Sequence, residues 1–174
     1  TRTYTININR QAASANNAGG NNNQNNNNQN NTDVNITSGK YSIGTYITGI
    51  EPGTGAADFV KNIAVSASGT VKLLTSSGSE NSGKIATGNK VAVYDASGNL
   101  KKTYDIVIYG DINGDGAVNA LDMIKLNRHI LGKGTLTGAY LEAADANRKR
   151  DGGNALDMII MNRHILGKSK ISQN

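Results

Sequence analysis

Asp111, Asn113 and Asp115 present side-chain oxygens on alternate residues, Gly116 follows, and Asn119 and Asp122 close the stretch DINGDGAVNALD. Counted from Asp111, these donors stand at positions one, three, five, nine and twelve, the spacing at which a short loop wraps oxygen ligands around one hard cation. Gly116 tolerates the backbone angles of the tight turn, and Ala117 would contribute its main-chain carbonyl, which needs no particular side chain. The chain has no Cys, and its two His are not clustered, so the donor set selects calcium over zinc. Position twelve is Asp where Glu is usual, so its shorter arm must approach the ion more closely. A plainer reading of DxNxDG is an Asx-rich turn that caps a helix.

Repetition favours the cation. The chain returns as DANRKRDGGNALD from Asp145 to Asp157, with Asp145, Asn147, Asp151, Asn154 and Asp157 as the matching donors. The segments that follow, NALDMIKLNRHILGK (Asn119 to Lys133) and NALDMIIMNRHILGK (Asn154 to Lys168), differ only at Lys125/Ile160 and Leu126/Met161. The second loop has thirteen residues instead of twelve, with Arg148, Lys149 and Arg150 between Asn147 and Asp151 where the first loop has Gly114. These three residues are expected to bulge outward. Their charges oppose a dication, so the second site is expected to bind more weakly, or to stay empty at moderate calcium.

The elements that position these donors are a strand and two helices. Lys101 to Tyr109 (KKTYDIVIY) alternates and is β-branched, so a strand enters the first loop, and the unit is loop then helix, half of an ordinary EF-hand. On the helix, Met123, Leu126 and Ile130 form a stripe that can pack on the twin helix. A second stripe, Leu121, Ile124 and Leu131 with Arg128, repeats as Leu156, Ile159 and Leu166 with Arg163. Two short helices cannot bury apolar residues all round, so the second stripe is expected to face a partner. The alternative is that it packs on the upstream domain.

Loop, helix and duplication together resemble a type I dockerin, over about Tyr109 to Lys168. That resemblance implies a calcium-dependent module that docks secreted enzymes onto the cohesin domain of a scaffolding protein. It also implies cohesin contacts at loop positions ten and eleven and a turn or two later: Ala120, Leu121, Asn127 and Arg128, with Ala155, Leu156, Asn162 and Arg163 in the copy. Ile124, Leu131, Ile159 and Leu166 join them from the second stripe. The Ala-Leu pair implies a drier contact than a hydroxyl pair, similar to dockerins of mesophilic clostridial complexes. Near-identity of the copies implies two binding orientations related by a half-turn. Dockerin-bearing proteins are commonly glycoside hydrolases or other degraders of polysaccharide or peptidoglycan, so a parent enzyme in polysaccharide catabolism is implied by resemblance alone.

The expected fold class is α+β: a small β-rich domain followed by an all-α dockerin with two calcium loop-helix repeats. Its 174 residues with one Phe, no Trp and 21 Gly suit two small domains rather than one large core. Residues 1–10 (TRTYTININR) alternate and weakly resemble the closing strand of a cadherin-like β-sandwich. Residues 11–38, with NNNQNNNNQNN at their centre, are expected to be a flexible linker. Residues 39–109 form the β-rich or α+β domain, with strands at 41–50, 71–74, 91–94 and 104–109, a helix near 55–63 and a turn at DASGN (Asp95 to Asn99). This segment is similar to small modules that precede dockerins. The dockerin occupies 110–168 and a tail 169–174. The whole is expected to be the carboxyl-terminal part of a longer secreted protein, extracellular and held in a cell-surface complex.

Other functions find less support. A net charge of +5 arises from Lys and Arg that are scattered apart from the run Arg148, Lys149 and Arg150, without an aromatic-interleaved groove, which argues against nucleic acid. No membrane-spanning run is present. Catalysis within the chain is not expected, because the Asp cluster is committed to metal, only Glu51, Glu80 and Glu142 remain, and His129 and His164 lie near helix ends. A calcium sensor would need helices entering each loop, which the sequence lacks. A carbohydrate-binding or catalytic accessory fragment is the remaining alternative, with glycan contact through Tyr41, Tyr46 and Tyr94 set against core packing of the same rings.

Overall fold

The structure is a computed structural model that describes residues 34–66 and 68–174. The expected strand at 1–10 and most of the expected linker lie outside the described residues. Both strands and helices are present. A two-stranded ribbon pairs β1 (Ile36–Thr37) with β4 (Ala64–Val65), and a five-stranded sheet runs β2-β3-β7-β6-β5. Its members are β2 (Ser42–Ile43), β3 (Tyr46–Thr48), β5 (Thr70–Leu74), β6 (Lys90–Tyr94) and β7 (Leu100–Ile106). All pair antiparallel except β3 with β7, which are parallel. The turn between β6 and β7 is DASGN: the Asp95 carboxylate accepts from the Ser97 and Asn99 amides, and Gly98 takes a positive φ of 81°.

Alternation along β5 and β6 buries Val71, Leu73, Val91 and Val93 against Phe59 and Val60 of α1 (Ala56–Val60). Tyr41 stacks on Phe59 with ring centroids 5.0 Å apart, so it is a core residue and not a sugar platform. Tyr46 is partly buried against the helical core, and Tyr94 lies under the Lys72 ammonium on the sheet. Three boundaries differ from expectation. Val34 and Ile36 are buried in this core, so the domain begins before residue 39 and the linker does not extend to 38. The expected strand at 41–50 is a hairpin broken at Gly44, whose amide donates to the Tyr46 carbonyl. The last strand ends at Ile106 rather than Tyr109, although the Val107 amide still donates to the Ile47 carbonyl.

The helical part contains three helices, not two: α2 (Ala120–Ile130), α3 (Gly138–Ala144) and α4 (Ala155–Ile165). The additional α3 lies between the repeats, so a helix does enter the second loop, where the sequence suggested none. Ala139, Leu141, Glu142, Ala143 and Ala144 are strong helix formers, and Ala139, Ala143 and Ala144 are its buried residues. Each repeat helix starts at a capping box: Asn119 with Asp122, and Asn154 with Asp157. Each is followed by glycine at positive φ, Gly132 and Gly167, both at 66°. Leu126 and Met161, one of the two pairs at which the copies differ, are fully buried where α2 meets α4.

The segment 169–174 is not a free tail. Gln173 is buried and clasps the start of the helical part, its Oε1 accepting from the Tyr109 amide (2.8 Å) and its Nε2 donating to the Tyr109 carbonyl (3.0 Å). Ile171 is buried beside Gly110, and its amide donates to His164 Nδ1. His129 Nδ1 accepts the Leu136 amide in the same way in the first copy. Both imidazoles therefore anchor the chain leaving their helix. Gln173→Ala leaves a buried amide and carbonyl unpaired and is expected to lower stability by about 1–3 kcal/mol, read as a lower urea midpoint at unchanged slope.

Candidate metal centre and docking face

In the first loop the chain folds around two buried carboxylates. Asp111 Oδ1 accepts from the Gly114 and Asp115 amides, and its Oδ2 from Thr87 and Gly116. Asp122 Oδ1 accepts from Ile112 and Asn113, and its Oδ2 from Asn119. Asn119 Oδ1 accepts from Leu121, so this residue starts the helix as well as standing at position nine. Asp115 is exposed and accepts from the Ala117 amide and from Asn113 Nδ2.

The second loop repeats this pattern with other residues. Asp145 accepts from the Lys149 and Arg150 amides, Asn147 Oδ1 from Lys149, Asp157 from Asn147 and Asn154, and Asn154 from Leu156. Matched by hydrogen bonds, Lys149 takes the place of Asp115 and Arg150 that of Gly116. Arg148 and Arg150 have positive φ of 56° and 58°, where Gly114 and Gly116 have 77° and 79°. The extra residue therefore lies between Arg150 and Asn154, not before Asp151 as the Asp spacing suggested. The Arg-Lys-Arg segment follows the same turn as the first loop, with its side chains exposed. Left-handed backbone at a non-glycine residue costs about 1–2 kcal/mol, so the two arginines strain this turn.

Asp151, one residue beyond the shared turn, still supplies a carboxylate. Oxygens of Asp145, Asp151 and Asp157 lie within 4.8 Å of one another, a convergence of three acids that among the described residues occurs at this loop. In the first loop Asn113 Nδ2 instead draws the Asp115 carboxylate to itself. The Asn147 Nδ2 is buried without a partner beside the second cluster. Burial pushes the Asp111 carboxyl up to about 6, against the Thr87 amide and with a further push from Asp122. Burial likewise raises Asp122, with a contribution from Asp115, and Asp157, with contributions from Asp145 and Asp151. Crowded, desolvated carboxyls that resist ionisation are groups a dication would stabilise, and an all-oxygen donor set fits calcium. Asp111, Asn113, Asp115, Ala117, Asn119 and Asp122 would hold one ion, and Asp145, Asn147, Asp151, Asn154 and Asp157 the other.

The second stripe is not covered by the upstream domain. Leu121 and Leu131 are each 57% exposed and Ile124 55%, and their copies Leu156, Ile159 and Leu166 are 51%, 57% and 60% exposed. Ala120, Asn127, Arg128, Ala155, Asn162 and Arg163 are exposed with them. The inner stripe is less uniform: Leu126 is buried, Met123 partly so, and Ile130 is 38% exposed.

Residues 109–166 match the family model of the dockerin type I domain. The match takes in both loops and the whole of α2, α3 and α4, about a third of the chain, and a dockerin domain is thus present. No curated protein matches the chain. The matched stretch begins at Tyr109, whose hydroxyl donates to Glu142 of α3 and is pushed up to about 12, first by burial and then by that carboxylate. No helix among the described residues is long and apolar enough to cross a membrane.

Several contributors were not visible in the sequence. Thr87 reaches Asp111 through its backbone amide, which any residue but proline could supply. Gln173 carried no periodic signal, though the apolar Ile171 before it was a hint. Placing Lys149 at position five required the backbone path, because matching Asp to Asp led to another register.

Proposed function

We propose that this chain is a calcium-dependent docking module that carries no catalysis of its own and binds a cohesin domain of a scaffolding protein. The observation that carries this reading is the pair of exposed apolar stripes, the same residues in both copies, on helices whose first turns are tied to acidic loops. Bound calcium would supply charge neutralisation at Asp111, Asp115 and Asp122 and at the second acidic cluster. Asp122 and Asp157 belong both to the donor sets and to the capping boxes, so neutralising them fixes the first turn of α2 and α4. That first turn carries Ala120, Leu121, Ala155 and Leu156.

The partner face is dry and apolar at its centre, with Asn127, Arg128, Asn162 and Arg163 at its edge, an arrangement suited to a few buried anchors within a polar rim. Because α2 and α4 present the same residues, the module can dock in either of two orientations. A role in anchoring a secreted enzyme that degrades polysaccharide or cell wall, outside the cell, follows from this reading. The second loop, with Lys149 at position five, is the weaker of the two sites. Capture of the intact chain on an immobilised panel of cohesins tests the proposal: retention by at least one cohesin is expected, and retention by none, with glycan retention instead, would favour the carbohydrate-binding alternative.

A further inference from the structure

We infer that the β domain forms a structural wall of the first loop, so that cation uptake there and the order of residues 51–54 and 85–89 are coupled. The inference rests on the calcium reading of that loop and goes beyond it. Three contacts carry it. The Thr87 amide donates to Asp111 Oδ2 at 2.8 Å in a buried bond, so a β-domain group holds a position-one donor. The Gly53 amide donates to the Gly116 carbonyl at 2.9 Å. A Cβ on Gly116 would come within 2.5 Å of the Ile85 carbonyl, and one on Gly114 within 2.9 Å of the Thr87 carbonyl, so the loop is pressed directly on β-domain backbone.

Neighbouring contacts stiffen the same junction. The Thr87 hydroxyl donates to the Ile108 carbonyl and accepts the Ile108 amide, and the Tyr140 ring of α3 covers Gly88 and Gly114. Among the described residues no such donor reaches Asp145: both amides on its carboxylate come from within its own loop. The two loops therefore differ in what surrounds them as well as in sequence. A hydrogen bond to a carboxylate that strengthens when its charge is fixed transmits order to its donor, and by linkage the donor's order raises cation affinity.

Hydrogen exchange on the intact chain, with calcium alone as the probe, tests this. Calcium that fills the first loop is expected to slow exchange at the Thr87 and Gly53 amides by tenfold or more, in step with the amides of Gly114 to Gly116. Thr87→Pro, which removes the donor, is expected to weaken the first site roughly tenfold while leaving the second unchanged. Filling of the first loop with no change at Thr87 or Gly53 would overturn the inference while sparing the calcium reading, and absence of uptake at the first loop would overturn both. Should Thr87→Pro unfold the β domain, exchange in the unmutated chain decides.

Discussion

Lys149→Asp is expected to tighten calcium binding at the second loop by about tenfold or more, leaving the first loop unchanged. The backbone amide of Lys149 bridges Asp145 and Asn147 as the Asp115 amide bridges Asp111 and Asn113. Its side chain therefore starts from the position-five backbone with the wrong charge. Reversal changes the local field by two charge units, each worth roughly 1 kcal/mol against a dication at about 6 Å even at the dielectric of water. Two resolved sites in calorimetry, the weaker moving toward the stronger, would bear this out. An unchanged weaker site would mean that Asp151 already completes the shell and that Lys149 is a bystander.

Arginine and aspartate placed on one copy of the docking face, Ala120→Arg with Leu121→Asp, are expected to reduce cohesin affinity only about twofold, because one of two equivalent orientations is lost. The same changes made also at Ala155 and Leu156 are expected to reduce it more than about a hundredfold, since no uncharged anchor pair remains. The mutated positions are exposed in both helices, so the fold is spared. A hundredfold loss from the first pair alone would show that the copies are not interchangeable and that α2 leads the contact.

What could be read from the sequence was local. The spacing of the first loop, the two repeat helices and the exposed second stripe depend on residues a few positions apart, and the duplication made each signal count twice. What could not be read depends on distance along the chain. Thr87 and Gln173 act through partners 24 and 64 residues away, and neither side-chain type announces it. The helix α3 was hidden by its small residues, which lack the apolar periodicity of a larger helix. The second loop misled because arginine occupies left-handed positions that the first loop gives to glycine. The tyrosines of the β domain resolved mostly toward packing: Tyr41 and Tyr104 are buried and Tyr46 partly so.

The central claim is that acidic loops and docking face act as one calcium-dependent device. It is tested most directly by titrating calcium into the chelated intact chain in the presence of a cohesin that captures it, while recording association and metal uptake together. Association is expected to be absent with chelator and to appear in proportion to filling of the first loop. Full-strength association in the presence of chelator, or no uptake at millimolar calcium, would contradict it.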